Sequence, residues 1–378
     1  MKIGQDVLDT ASRHSEKTET LRHLHPEVFS ALVESGVMRG WAAEAYGGGQ
    51  ATVREMLTAI EDVSRHDGSA GWCVMIANTT ALTSFHLPSD WGQTIYGDPA
   101  SCTGGFAMPT GVATWVDGGL EVNARWSWGS GTNHSTWIGG GARIVDANGE
   151  PATTPDGATA PFVFFEPNQV ELLDTWHVSG LKGTASTDYS VTKAFVPEGR
   201  WVQITAKKLT VDCTLARFPF FGALAAGIAA VTIGLAERAI DELIKQAGKR
   251  SLGSSKSLAE RTATQADLSL AMANVAQARS FLYESVERAW EAIADDGEAS
   301  EDARATLRLA ASSAAMRCVE AVDLCYNAAG SAAIFQSSPL QRVFRDVHVA
   351  ITHGMITGKT LEPLGRLKFG LPTSTALF

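Results

Sequence analysis

Four long tracts beyond residue 215 constrain the fold more than any other feature of this chain. They read "FFGALAAGIAAVTIGLAERAIDELIKQAG", "SLAERTATQADLSLAMANVAQARSFLYESVERAWEAIAD", "SEDARATLRLAASSAAMRCVEAVDLCYNAAGS" and "SPLQRVFRDVHVAITHGMITG". Each repeats its apolar residues at the helical period, and short breaks separate them, the pattern of a four-helix bundle. Their many alanines permit close helix approach. The first tract is apolar over more than one face, more than a solvated bundle helix requires. It therefore predicts a homo-oligomer joined through the bundle.

Ahead of the bundle the pattern changes twice. "HPEVFSALVESGVM" and "TVREMLTAIEDVSRHD" carry helical periodicity, the first opening on Pro26 and ending near Gly36. Between residues 99 and 210 come short β-branched or aromatic runs such as "GLEVNARWSWGSG", "WIGGGARIVD", "APFVFFEP" and "DYSVTKAFVPE". Gly, Pro, Asp and Asn separate them, as in a small antiparallel β domain. The reading is α+β: an N-terminal helical domain over 1–98, a β domain over 99–210 and a C-terminal four-helix bundle over 211–378. A chain of 378 residues exceeds the usual single core, as such a division requires.

A net charge of −10 argues against nucleic acid or an anionic membrane as partner. The five cysteines show no CxxC spacing and fit reduced thiols. The N-terminus has no apolar signal core and no tract is expected to span a membrane, so the expectation is a cytoplasmic protein. No metal site is expected, because no HExxH or paired His/Cys spacing occurs. The "GGG" at 47–49 reads as a turn and that at 139–141 as part of a strand, neither in the setting of a phosphate loop. No GxSxG elbow supports a serine triad.

Three constellations remain. "RWSWGSGTNHSTW" gathers tryptophans, Trp128 among them, around Ser130 and Gly131. It reads either as an aromatic strand ending in a turn, or as a bed where a hydroxyl and backbone amides meet a flat polar heterocycle. "GLKGTASTDYSV" is a second turn, with Thr184 and Ser186 as hydroxyl donors or as ordinary turn residues. In the last tract Asp346 and His353, seven positions apart, share a helical face, whereas His348 points elsewhere. A lone helix histidine is either packing or chemistry.

Taken in order, "LVESGVMRGWAAEAYGGGQ", "VSRHDGSAGWCVM", "RWSWGSG", "TWHVSGLKGTASTDY...AFVP" and "AAGSAAIFQSSPLQRVFRD" resemble the acyl-CoA dehydrogenase superfamily over roughly residues 25–355. An acyl-CoA dehydrogenase typically carries a glutamate base shortly after the final "RD"; here the neighbourhood reads "THG", with His353 in its place. The dehydrogenases' "EP-x-GSD" element is also missing, and the strand ends in "SG". Both departures point to the branch of two-component flavin-dependent monooxygenases.

That resemblance implies an oxygenase component that receives reduced FAD or FMN from a separate reductase and reacts it with O2. The resulting C4a-hydroperoxide would hydroxylate an aromatic or heteroaromatic, phenol- or indole-like molecule. By the same resemblance Ser130 would bond the flavin or substrate, Trp128, Gly131, Thr184 and Ser186 would line the flavin, and His353 would face C4a as a proton-handling group titrating near neutrality. Arg217 and Arg250 are the candidates for the flavin phosphate, with Trp72 and Asn78 in the substrate pocket. Seven residues span about 10.5 Å of helix, too far for Asp346 to bond His353 directly, so Asp346 is expected to be scaffold. The family's assemblies imply a homotetramer. The alternatives are an acyl-CoA dehydrogenase with tightly bound FAD and a non-catalytic flavin- or ligand-binding homologue.

Overall fold

The computed structural model describes residues 1–204, 208–250 and 256–378. The N-terminal part holds α1 (Gln5–Leu21), α2 (Pro26–Glu34), α3 (Val53–His66), α4 (Gly68–Ala81) and α5 (Ser89–Tyr96). Thr52 and Glu55 form a reciprocal capping box that starts α3, and the Asp67 carboxylate accepts from Ala70 N–H at 2.8 Å to start α4. Every residue of α4 except Ile76 is buried. A helix apolar all round must be covered all round, and α4 lies against α3 on one side and against later elements on the others.

The middle part is one sheet of seven strands: β1 (Thr103–Val116), β2 (Gly119–Gly129), β3 (Trp137–Val145), β4 (Phe162–Phe165), β5 (Glu171–Leu173), β6 (Thr187–Pro197) and β7 (Trp201–Val202), in the order β5-β6-β2-β1-β3-β4-β7. Every pairing is antiparallel but one: β1 and β3 run parallel. The departure from the antiparallel expectation has a local cause. After β2 the chain turns back through 130–136 and is pinned beside the start of β1, where Thr136 N–H donates to the Cys102 carbonyl at 2.8 Å. Register shifts interrupt the ladders at three places, in β2 between Val122 and Ala124, and at two that concern the site, in β1 between Phe106 and Gly111 and in β2 between Trp126 and Gly129. Bulges of this kind re-aim side chains, and the latter two sit at the same end of the sheet.

The C-terminal part contains α6 (Thr214–Arg217), α7 (Phe220–Lys245), α8 (Thr262–Asp296), α9 (Glu301–Ala329), α10 (Pro339–Ala350) and α11 (Leu361–Lys368). α7 is the hub, packed against α8, α9 and α10 and also against α3 and α4. A side chain at Gly234 would come within 2.4 Å of the Glu61 carbonyl, so only glycine lets α3 approach α7 so closely. By length and hydropathy α7 is apolar enough to cross a membrane, contrary to the expectation that no tract would be. Its apolar surface is explained by tertiary packing instead, since 78% of the relevant window is buried inside the protein. α10 also differs from expectation: it stops at Ala350, and His353 lies in the irregular turn that follows.

Candidate active site

A line of buried hydroxyls crosses the junction between helices and sheet. Trp72 on α4 donates its indole N–H to Ser130 Oγ at 3.0 Å, Ser130 bonds Ser186 at 2.6 Å, and Ser186 bonds Thr184 at 2.7 Å. Thr184 ends the line at the Leu181 carbonyl, 2.8 Å away. An indole N–H can only donate and a carbonyl can only accept, so every proton in the line must point from Trp72 towards Leu181. Each hydroxyl has thereby spent its donor and keeps one lone pair. All three are buried, where an unmade bond would be costly.

The two turns are tied through their backbones as well. Gly131, at φ +73°, donates its N–H to the Thr184 carbonyl at 3.0 Å, and Ser130 N–H bonds the Trp128 carbonyl at 2.9 Å. Of the two readings of this turn, the one in which these amides meet a heterocycle is not what the backbone shows: both are committed to the protein. What the β2 bulge does present is Trp128. It holds the left-handed φ of +62°, rare for a bulky residue, and its side chain is 63% exposed. Phe106, beside the β1 bulge, lies 5.9 Å from it ring to ring, and Met108 in that bulge is 45% exposed. An apolar, aromatic surface thus stands open beside a polar line that is closed.

Leu181 joins this line to the scaffold. Its N–H donates to the Asp346 carboxylate at 2.6 Å, while its carbonyl receives Thr184. A side chain at Gly180 would strike the Arg345 carbonyl at 2.3 Å, so glycine is what brings this turn onto α10. Burial, with Asp67 nearby, pushes the Asp346 carboxyl up to about 7, against the opposing pull of the Leu181 N–H, Arg342 and Arg345. Arg345 pairs with Glu19 at 2.7 Å and reaches the Ser179 carbonyl, holding α10 to α1 and to the 177–182 turn.

His353 meets the other end of the line, its ring edge-on to Trp72 at 5.8 Å. Asp346 and His353 therefore do not share a helical face. They touch opposite ends of one network that runs through Leu181, Thr184, Ser186, Ser130 and Trp72. The expectation that His353 titrates near neutrality is corrected: burial, aided by the Arg308 guanidinium, lowers it to about 4. The ring is neutral, and because Nδ1 accepts the Met355 N–H at 3.2 Å its proton resides on Nε2.

Other expected residues fall outside the site. Asn78 is wholly buried and its amide is used up: Oδ1 accepts from Trp41 N–H, and Nδ2 donates to the Val37 and Val74 carbonyls, each at 2.8 Å. It braces the turn after α2 and is not a substrate-pocket residue. Arg217 is committed to Asp212 at 2.6 and 2.7 Å and to the Gly297 carbonyl at 3.3 Å, which places it in the α6–α8 contact rather than at a cofactor phosphate. Arg250 is exposed, in an isolated bridge with Ser257 beside the undescribed 251–255. Trp72, expected only in the substrate pocket, is a member of the hydroxyl line. Arg308 carried no sequence signal, being one arginine on a long helix. His14, His25 and Glu27 bring ligand atoms within 4.8 Å, a cluster that motif spacing did not reveal. Its two imidazoles stack with planes 5° apart, so their in-plane lone pairs do not converge on one ion.

The comparisons with known proteins agree with this architecture. Residues 226–357 match the family described as acyl-CoA dehydrogenase, C-terminal domain. The indole-3-acetate monooxygenase of Pseudomonas putida is 31% identical over 351 residues, covering 92% of this chain and 88% of that protein. The flavin-dependent monooxygenase oxygenase subunit HsaA of Rhodococcus jostii is 28% identical, with 98% of each chain covered. The crystal structure of the HsaA monooxygenase from M. tuberculosis superimposes with a TM-score of 0.89 at 25% identity, covering 99% of this chain and 97% of that one. The chain belongs to the oxygenase components of flavin-dependent monooxygenases, within the acyl-CoA dehydrogenase superfamily. It is an enzyme, and its cofactor is a flavin.

Proposed function

We propose that this oxygenase takes reduced FAD or FMN from a separate reductase and uses it with O2 to hydroxylate an aromatic or heteroaromatic small molecule. The observation that carries this reading is the junction itself: a closed hydroxyl line, an open aromatic surface and a neutral histidine brought together from three parts of the chain. The indole- and hydroxyphenyl-derived names of relatives such as the indole-3-acetate monooxygenase and the p-hydroxyphenylacetate 3-hydroxylase support the ring class.

The residues fit a flavin ring. Trp128 and Phe106 offer flat apolar faces, and Ser130, with its donor spent on Ser186, has only a lone pair to give to a ring N–H. When bound, reduced flavin supplies the activation of O2. The chain's own residues do the rest: Trp72 fixes the Ser130 hydroxyl, Asp346 fixes the Leu181 turn, and His353 holds a proton on Nε2 as a donor within the site. Neighbouring aromatic side chains limit water. Arg250 remains the candidate for the flavin phosphate.

The working form is proposed to be a cytoplasmic homotetramer. Leu270 and Met272 on α8, with Leu309 and Met316 on α9, are exposed apolar residues of the kind an assembly covers. Light scattering at micromolar concentration is expected to give the tetramer mass, and a monomer would refute it. The function is tested by supplying chemically reduced flavin and O2 with candidate ring compounds and measuring product per O2 consumed. Hydroxylated product is expected, with oxidised flavin lost on dialysis. Dialysis-resistant FAD bleached by an acyl-CoA would overturn the reading in favour of a dehydrogenase.

A further inference from the structure

Arg308 sits two turns into α9 with 4% of its surface exposed. Among the described residues no carboxylate pairs with it. Its Nε has no hydrogen-bond partner, and its Nη1 makes only long contacts, 3.5 Å to the Phe221 carbonyl and 3.6 Å to Met355 Sδ. Burial alone depresses it to about 10. Buried guanidinium groups are ordinarily paired, because an isolated charge loses its hydration without compensation. The other two buried arginines are better satisfied: Arg200 reaches Glu166 at 3.4 Å, and Arg39, though it too meets no carboxylate among the described residues, donates to the carbonyls of Tyr46 and Tyr96.

The position of the unpaired cation gives it meaning. Arg308 contacts the turn that carries the catalytic candidate, since Met355 both touches its Nη1 and donates its own N–H to His353 Nδ1. Its charge is felt at the His353 ring. Phe221, whose carbonyl it approaches, opens α7 beside Phe220, their rings 5.4 Å apart. A cation at the end of an aromatic and apolar surround is the arrangement that orients a ring bearing an anion.

We propose that Arg308 is a substrate-recognition residue and that the molecule hydroxylated is an aromatic acid, its carboxylate bound by this guanidinium. The inference rests on the functional reading above, which names only the ring. The carboxylate supplies the missing counter-charge and accepts the unused N–H groups of Arg308. It also anchors the ring on the His353 side of the site. The unbound protein carries the cost of the isolated charge, and substrate relieves it.

The test compares acids with their neutral isosteres. Indole-3-acetate, phenylacetate and 4-hydroxyphenylacetate are each paired with the corresponding amide, and binding is measured by calorimetry on wild type, Arg308→Met and Arg308→Lys. Wild type is expected to bind at least one acid ~10- to 10²-fold more tightly than its amide, the range for hydrogen bonds to charged groups. Arg308→Met should erase that preference, Arg308→Lys should keep part of it, and Arg308→Met should raise the melting temperature of the unliganded protein. No acid preference in any pair, or a preference that survives Arg308→Met, overturns the proposal. So does a fall in melting temperature with unchanged preference, which returns the guanidinium to the scaffold. A loss of reduced-flavin affinity in Arg308→Met, with acid preference intact, assigns the charge to the cofactor and also overturns it. Failure of the monooxygenase reading shows separately, as absence of oxygen transfer by wild type, because the acid-over-amide comparison needs no turnover.

Discussion

The two walls of the site are built on opposite principles. On the sheet side, Ser130, Ser186 and Thr184 spend every donor on one another and on the Leu181 carbonyl, and the amides of Ser130 and Gly131 are spent as well. On the bundle side, among the described residues, Arg308 has an unused Nε and His353 has no partner for its Nε2 proton. A satisfied network is rigid before any ligand arrives; an unsatisfied one is completed by the ligand. The sheet wall therefore positions, and the bundle wall recognises and handles protons.

That division is open to attack by mutation. The largest effect is expected at a fully satisfied group. Asn78→Ala removes three buried hydrogen bonds, about 1 kcal/mol each or more where a partner is stranded, so stability should fall by ~3 kcal/mol or more in urea unfolding. The folded fraction should keep its kinetic constants; a change confined to substrate affinity would put Asn78 back in the pocket. His353→Ala, on the other wall, should leave stability nearly unchanged and slow oxygen transfer by ~10²-fold, with hydrogen peroxide released in place of product. Full coupling in that variant would make the ring mere packing.

Ser130→Ala strands the buried Trp72 N–H and breaks the line. A loss of about 1–3 kcal/mol is expected, and a double-mutant cycle with Ser186→Ala should show coupling. Additivity of the two changes would show that the hydroxyls do not act as a line.

The walls also differ in their response to pH. Asp346 is raised to about 7 from an ordinary 3.8, so the folded state binds its proton more tightly than the unfolded state does. Its contribution is greatest below about 4 and is lost as pH rises to about 7. His353 is lowered to about 4 from 6.5, so its contribution is present above 6.5 and is lost as pH falls towards 4. Asp346→Asn should therefore flatten the loss on raising pH, and His353→Ala the loss on lowering it, read from melting temperatures at fixed salt. An inflection in coupling near pH 6.5 that His353→Ala abolishes would contradict the neutral ring. The smallest effect is expected from Arg217→Ala, which removes an exposed pair with Asp212 and should not alter flavin affinity. A weaker flavin complex would restore the phosphate role.

The sequence by itself determined the order of parts. Helical periodicity marked α3, α7, α8 and α9, and β-branched runs between glycines marked most of the sheet, because both patterns follow from which residues face a core. It also singled out Ser130, Thr184, Ser186 and His353, through turn chemistry and through a resemblance that the family comparison supports. It missed where α10 stops, since "VAITHG" continues the helical pattern while the backbone turns away after Ala350. It grouped Asn78 with Trp72 because both lie on α4, yet Trp72 bonds Ser130 whereas Asn78 bonds Trp41 and Val37. Only the tertiary structure decided these roles. A hydrogen-bonding group acts by what is left after its neighbours are satisfied, and those neighbours come from distant parts of the chain. Arg308 is the clearest case: it looks like any helix arginine until the fold buries it and brings no carboxylate among the described residues to meet it.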